Sequence, residues 1–86
     1  MQKLRSARTI GSNIRALRKA SGMTQEQVAA QLQLQGFEIS RSIYSQIECG
    51  THGIQVDQII ALKKLFKTTY DAIFEGLDEQ LPEDQI

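Results

Sequence analysis

The amino-acid sequence predicts an all-α fold in which five short helices pack into one compact bundle. Apolar residues recur three and four positions apart along most of the chain, a spacing that places them on one face of a helix. A Ser or Thr precedes three of these patterns, where its hydroxyl can accept from a free backbone N–H: Thr24, Ser40 and Thr69. Glycines stand where helices are expected to end: Gly22, Gly36, Gly50 and Gly76.

The composition indicates a single small folded domain. The chain has 86 residues, 41% of them hydrophobic, and one Pro. No apolar run approaches the roughly 20 residues of a membrane helix, and no apolar signal segment follows Met1, so we expect a cytoplasmic protein. Cys49 has no second cysteine to pair with, and His52 alone cannot complete a set of four metal ligands. We therefore expect no metal, cofactor or small-molecule ligand.

Charge is divided between the two halves of a chain whose formal net charge is zero. Residues 1–41 carry seven Lys or Arg and two acids, a balance of +5, and residues 42–86 carry three Lys and eight acids, a balance of −5. Two interpretations stay open. The basic half orients the molecule toward phosphates, or the charge blocks are ordinary for a small protein.

The two terminal segments differ in composition from the chain between them. Residues 1–8 hold Lys3, Arg5 and Arg8 without a capping signal, so we expect a flexible basic arm that is either frayed or inserted into a DNA minor groove. Residues 77–86 hold four acids and Pro82, and we expect this acidic tail to have little regular structure unless a second chain orders it. Residues 9–76 are the predicted folded domain.

The first predicted helix starts after Thr9 and stops at Gly22. Ile10, Ile14 and Leu17 form its apolar stripe. Arg15 and Lys19 lie four residues apart on an outer row, where they are either solvated or in contact with phosphates.

The second predicted helix starts at a capping box, because the Thr24 hydroxyl can accept from the backbone of Gln27 while the Gln27 side chain reaches back. Its expected buried stripe is Val28, Ala29 and Leu32. Gly36 allows the helix to run as far as Gln35, with Leu34 extending the apolar edge. Phe37 either covers the junction with the next helix or is exposed and binds a partner.

The third predicted helix has two unlike faces. Ser40 is its cap, and Tyr44 and Ile47 are its inner stripe. At about 100° of rotation per residue, the opposite face is polar and carries long hydrogen-bonding side chains. It consists of Arg41, Ser42, Ser45 and Gln46.

This pair of helices resembles the phage-repressor (Xre or Cro-like) helix-turn-helix family. The matching residues are Thr24-Gln25-Glu26, Ile39-Ser40-Arg41-Ser42 and Ile47-Glu48-Cys49-Gly50, and the resemblance extends from about Ile10 to Phe74. One departure is the turn, which is lengthened by the residues from Gln33 to Glu38. The family's basic residues after the glycine are replaced by Thr51 and His52.

The resemblance implies a lambda-repressor-like domain that places the Ser40 helix in the major groove of double-stranded DNA. Arg41 and Gln46 are then the main base readers, since Arg can form two hydrogen bonds with guanine and Gln can form two with adenine. Ser42 and Ser45 assist, and Ile43 contacts a thymine methyl or packs in the core. The expected phosphate contacts are Thr24, Gln25, Ser40, Arg15 and Lys19. Arg18 and Glu48 match the family's buried ion pair.

Two further helices complete the prediction. Residues Val56, Ile59, Leu62, Leu65 and Phe66 form the expected core stripe of the fourth. Thr69 caps a short fifth helix from Tyr70 to Glu75, in which Ile73 and Phe74 are expected to close the core.

Function divides into two binding hypotheses, because no nucleophile–base pair, carboxylate pair or phosphate-binding glycine loop indicates an enzyme. The favoured hypothesis is a sequence-specific DNA-binding regulator, expected to be a repressor. The alternative is an antitoxin-like or anti-repressor module that uses the same fold for protein contacts. A homodimer on a palindromic operator is expected, with contacts from the last two helices or the tail.

Overall fold

Capping hydrogen bonds define the starts of the helices in the computed structural model, which describes residues 9–77. The five helices are α1 (Ile10–Ala20), α2 (Gln25–Leu34), α3 (Arg41–Cys49), α4 (Val56–Phe66) and α5 (Tyr70–Ile73). Thr24 Oγ1 accepts from the Gln27 N–H at 3.1 Å, and Gln27 Oε1 accepts from the Thr24 N–H at 2.9 Å. This confirms the predicted capping box. Every regular element within residues 9–77 is a helix, as predicted.

Helix α1 packs against α3, α4 and α5, and α3 also packs against α2. The side chains of Ile14, Val28, Leu32 and Tyr44 are completely buried where these helices meet, and Phe37 from the lengthened turn packs against the same core while remaining half-buried.

Close contact between α1 and α3 depends on Gly11. A Cβ at this position would lie 2.4 Å from the backbone oxygen of Ile47 and 2.6 Å from that of Glu48. Both distances are far below van der Waals contact, and backbone oxygens cannot swing away as a side chain can. Only glycine permits α1 to approach the carboxyl end of α3 this closely.

Asn13 joins the same helix to the carboxyl end of the fold. Its side chain is buried, and Nδ2 donates to the carbonyl oxygens of Ile73 at 2.8 Å and Glu75 at 2.9 Å. Ile73 ends α5 and Glu75 lies two residues beyond it, where the carbonyls at a helix end lack partners within the helix itself. A single amide therefore anchors the short last helix to α1.

Three residues predicted to be apolar packing positions are exposed instead. Val56 is 73% exposed. Each spacing of three residues falls about 60° short of a full helical turn. Val56, six residues before the buried Leu62, is therefore rotated by about 120° from it and faces outward. Leu34 is 79% exposed because it lies nearly opposite Leu32 on α2. Phe74 is 44% exposed, since α5 ends at Ile73 rather than at the predicted Glu75.

The predicted basic arm (residues 1–8) and all of the predicted acidic tail beyond Leu77 lie outside the described residues. No helix between residues 9 and 77 combines the length with the apolarity that a bilayer crossing requires.

Substituting Gly11 with Ala should lower the free energy of unfolding by about 1–3 kcal/mol or more, because the added methyl group forces two packed backbones apart. Urea unfolding monitored by circular dichroism measures this change. Gly53→Ala is the matched control, since nothing lies within 4 Å of a Cβ at Gly53. A Gly11→Ala protein as stable as the Gly53→Ala protein would contradict the close approach.

Candidate nucleic-acid interface

The polar face of α3 is presented to solvent by burial of the opposite face. Tyr44, Ile47 and Glu48 are buried. Arg41, Ser42 and Gln46 are exposed, and Ser45 is half-buried. Ser40 Oγ accepts from the Ile43 N–H at 3.1 Å, and Gly50 ends the helix in the left-handed conformation at φ 82°. Helix α3 is nine residues long, both of its ends are capped, and its exposed side is polar.

Ile43 has a divided position on this helix. It is half-buried and packs against the hydrophobic core. Part of its side chain is therefore occupied by contacts within the protein, and the remainder is exposed to solvent.

Arg18 and Glu48 form the ion pair that the resemblance implied. Arg18 Nε donates to Glu48 Oε2 at 2.6 Å and Arg18 Nη2 donates to Glu48 Oε1 at 3.2 Å, so the guanidinium binds both carboxylate oxygens. The two side chains are 10% and 1% exposed. The pair therefore joins α1 to the last turn of α3 in the protein interior.

Two more hydrogen bonds connect this ion pair to the amino end of α2. Arg18 Nη1 donates to the Met23 carbonyl at 2.9 Å, and Gln25 Nε2 donates to Glu48 Oε1 at 2.9 Å. The sequence suggested no partner within the protein for Gln25. Because Glu48 accepts from both Arg18 and Gln25, the amino end of α2 is held in position relative to α3.

The charge state of Glu48 reflects these partners. Burial opposes ionisation of its carboxyl group, but hydrogen bonds from Arg18 and then Gln25 outweigh burial and hold the pKa of Glu48 below its usual value. Burial raises the pKa of the neighbouring Tyr44 phenol, and the Glu48 carboxylate raises it further. The Tyr44 hydroxyl has no hydrogen-bond partner among residues 9–77, although it lies beside the pair.

An open cleft of about 530 Å³ separates the amino end of α2 from the amino end of α3. Thr24, Gln25 and Arg41 line it, together with Arg18 behind them. A helix amino end offers free N–H groups and a partial positive charge, which favour an anion. Glu26 also lines the cleft, and its carboxylate opposes an anion there.

The other residues predicted to contact phosphates are exposed on α1 or occupied as caps. Arg15 and Lys19 are exposed and do not line the cleft. The oxygens of Thr24 and Ser40 accept capping bonds, but each hydroxyl keeps its own hydrogen for a further acceptor.

Cys49 and His52 lie at the carboxyl end of α3 and in the loop that follows it. Cys49 is an exposed free thiol at the end of α3, while His52 Nδ1 lies 2.9 Å from the Gly53 carbonyl oxygen. Within the part of the chain that the structure describes, no three His, Cys, Asp or Glu residues are grouped so that they could hold a metal ion.

Substituting Glu48 with Gln should lower the free energy of unfolding by about 3–5 kcal/mol at pH 7, because it leaves the Arg18 charge buried without a counter-charge. Denaturant unfolding measures the loss. Glu26→Gln removes an exposed carboxylate from the first turn of α2 and should lower stability by less than about 1 kcal/mol, through the helix dipole alone.

The pH dependence of the unfolding free energy of the parent and of Glu48→Gln tests whether Glu48 is ionised in the folded protein. Glu48 has a lower pKa in the folded state than in the unfolded state, so its ionised carboxylate stabilises the fold at a pH above the unfolded-state pKa. This stabilisation is lost as the pH falls toward and through the folded-state pKa. The stability gap between the parent and Glu48→Gln should therefore be full above pH 4.5, the ordinary value for Glu, and shrink below it. A gap that is constant down to pH 2 would exclude an ionised Glu48.

Comparison with known proteins agrees with this geometry. A family model described as helix-turn-helix matches residues 14–73, which is more than half of the chain. No curated protein and no solved structure matches the chain. The matched segment contains the Arg18–Glu48 ion pair, both capped helices of the motif and the polar face of α3. The chain belongs to the Xre/Cro-like helix-turn-helix family of DNA-binding regulators.

Proposed function

We propose that the protein is a transcriptional repressor that reads a specific sequence in the major groove of double-stranded DNA with α3. The observation that carries this proposal is the division of α3 into a buried face and a polar face. Tyr44, Ile47 and Glu48 fix the helix, and its exposed side presents Arg41, Ser42 and Gln46. Repression by occupying a site requires only DNA binding, which is the activity that the described residues support.

Arg41 and Gln46 are the proposed main readers of base edges. An Arg guanidinium can donate to O6 and N7 of guanine, and a Gln amide can bond to N6 and N7 of adenine. Ser42 and Ser45 supply shorter hydroxyl contacts on the same side. The exposed part of Ile43 is available to a thymine methyl group, whereas its buried part limits how far it can reach.

Phosphate binding is proposed at the cleft before α2. Gln25 Nε2 has two hydrogens, and the bond to Glu48 uses one of them. The second can donate to a phosphate oxygen, together with the free N–H groups of the helix end and the Thr24 hydroxyl. The Ser40 hydroxyl is proposed to contact a phosphate separately, at the start of α3. Arg15 and Lys19 would contact the backbone farther along α1.

The charge arrangement supports a modest non-specific affinity. The formal net charge of zero gives no large long-range attraction to DNA. Glu26 opposes an anion in the cleft, and Thr51 and His52 stand where the resemblance implies basic residues. Contacts from α3 to base edges must therefore contribute a large share of the affinity for the preferred DNA site.

A protein-interaction module is the second candidate, and the exposed Leu34 beside the lengthened turn is the observation in its favour. Phe37 supports it less, because that side chain packs against the core. A module of this kind needs no phosphate contacts, so the salt dependence of DNA binding distinguishes the two candidates.

Two copies on a palindromic operator are part of the proposed function. One α3 of nine residues contacts only a few base pairs, while two copies about one helical turn apart read enough sequence for useful specificity.

Arg41→Ala and Gln46→Ala should each cost about 1–3 kcal/mol on the preferred site and relax the preference at one base position. Selection of bound sites from random DNA, followed by titration of the parent and both variants, measures both effects. Arg15→Ala is the matched control, since loss of a phosphate contact should weaken all sequences equally. Equal weakening by Arg41→Ala on every sequence would remove Arg41 from the base readers.

Binding affinity for the selected site should fall linearly with the logarithm of salt concentration, with a slope equivalent to no more than about eight neutralised phosphates per protomer. Fluorescence anisotropy measured from about 50 to about 300 mM KCl, over which the Debye length falls from roughly 14 to roughly 6 Å, provides this slope. Absence of any salt-dependent DNA binding would favour the protein-interaction module.

A further inference from the structure

The phenol of Tyr44 places a polar group in the core without a hydrogen-bond partner. Tyr44 is completely buried, and its hydroxyl is hydrogen-bonded to no group among residues 9–77. A buried hydroxyl that makes no hydrogen bond costs stability, because it has lost its contacts with water. A phenylalanine ring would fill the same space without this cost. Packing therefore does not account for the hydroxyl.

The Tyr44 hydroxyl lies beside a carboxylate that already accepts from three N–H groups. Tyr44 and Glu48 are four residues apart on the inner face of α3, and both are buried. Arg18 Nε donates to Glu48 Oε2, while Arg18 Nη2 and Gln25 Nε2 both donate to Oε1. Burial raises the pKa of the Tyr44 phenol, and the Glu48 carboxylate raises it further, as expected for an anion close to the phenol oxygen. Tyr44 is therefore placed to supply a further donor to Glu48.

Gln25 is the donor that can leave Glu48 at the lowest cost. Arg18 is held by two bonds to the carboxylate and a third to the Met23 carbonyl, and its side chain is 10% exposed. Gln25 is bonded to Glu48 through one hydrogen at 2.9 Å, is half-buried, and lines the open cleft at the amino end of α2. Loss of the Arg18 contact would leave two opposite charges buried apart. Loss of the Gln25 contact removes one neutral donor.

We propose that the Tyr44 hydroxyl is a reserve donor, which donates to Glu48 in place of Gln25 when the Gln25 amide turns toward a DNA phosphate. The inference rests on the proposed function and deepens it, because it makes Tyr44 a positioning residue for a phosphate contact that Tyr44 itself does not touch. Gln25 offers one hydrogen to a phosphate while it stays bonded to Glu48. The exchange of donors at Glu48 frees both hydrogens.

The exchange keeps the buried carboxylate supplied with donors. The Glu48 side chain is 1% exposed, so water cannot replace a donor that leaves. Donation by Tyr44 preserves the number of hydrogen bonds to Glu48 and gives the phenol the partner that it lacks. Both amide hydrogens of Gln25 then join the free N–H groups at the start of α2, which favour the same anion. The Tyr44 hydroxyl therefore lowers the cost of releasing Gln25.

Unfolding by urea tests the reserve donor without DNA. Tyr44→Phe removes only the hydroxyl, so in the parent it should leave the urea midpoint unchanged or raise it. In Gln25→Ala the amide is absent, and the hydroxyl should donate to Glu48 in the free protein. Adding Tyr44→Phe to Gln25→Ala should therefore lower the midpoint by about 0.5–1.5 M, the effect of one hydrogen bond in a small domain.

Tyr70→Phe is the matched control, since it removes the hydroxyl of an exposed tyrosine on α5 and should leave the midpoint unchanged in both backgrounds. Circular dichroism confirms that each variant is folded. An equal shift of the midpoint by Tyr44→Phe in the parent and in Gln25→Ala would overturn the reserve donor, because the hydroxyl would then be independent of Gln25.

Titration with DNA tests the exchange itself. Tyr44→Phe should weaken binding to the selected site by about three- to tenfold, because Gln25 then leaves Glu48 without a replacement. The loss should be equal on an unrelated duplex, since a phosphate contact carries no sequence information. In Gln25→Ala there is no amide to release, so adding Tyr44→Phe should weaken binding no further. Additive losses, or a changed base preference in Tyr44→Phe, would overturn the exchange, because the hydroxyl would then act by orienting α3.

The two experiments separate failure of the exchange from failure of the proposed function. The urea comparison involves no DNA, so it decides whether Tyr44 is a reserve donor whatever the protein binds. A parent that binds no duplex overturns the proposed function, and the turning of Gln25 toward a phosphate with it. A parent that binds its site no more tightly than Tyr44→Phe overturns the exchange and leaves the proposed function intact.

Discussion

The buried pairing of Arg18 with Glu48 is the interaction on which the arrangement of the DNA-binding elements depends. Its two hydrogen bonds, of 2.6 and 3.2 Å, join α1 to the last turn of α3, and further bonds from Arg18 to Met23 and from Gln25 to Glu48 extend the connection to the start of α2. Three chain segments that are distant in sequence are therefore held by one carboxylate and one guanidinium. An ion pair without access to water costs desolvation energy, and its hydrogen bonds must offset that cost. What it provides here is orientation, because a bidentate contact permits little rotation.

This arrangement explains how a short helix can present a defined surface. Helix α3 is nine residues long and would not be stable alone, since isolated helices of this length are marginal in water. Its inner face is fixed by Tyr44 and Ile47 in the core, its amino end by the Ser40 cap, and its carboxyl end by Gly50 and by Glu48. Gly11 lets α1 approach that carboxyl end at backbone distance. The polar face of α3 is thereby positioned by contacts that lie entirely on the opposite side.

The outer surface of the domain divides into regions with different chemistry. The amino ends of α2 and α3 border an open polar cleft, while Val56 and Ile60 on α4 and Tyr70 on α5 are exposed apolar side chains. The Asn13 bonds join the end of α5 to α1, and the Lys63 ammonium lies 5.1 Å from the Tyr70 ring, which joins α4 to α5.

The sequence by itself determined the all-α class, the Thr24, Ser40 and Thr69 caps, the glycines that end helices and the stripe Val28, Ala29 and Leu32, because each depends on neighbours within about four residues. The Arg18–Glu48 pairing came from resemblance to a family, since no local rule connects positions 30 residues apart. Only the tertiary structure decided the roles of Gly11 and Asn13, whose partners lie far along the chain. It also decided that Leu34, Val56 and Phe74 face outward. Periodicity identifies which residues share a helix face, but the number and direction of neighbouring helices determine which face is covered.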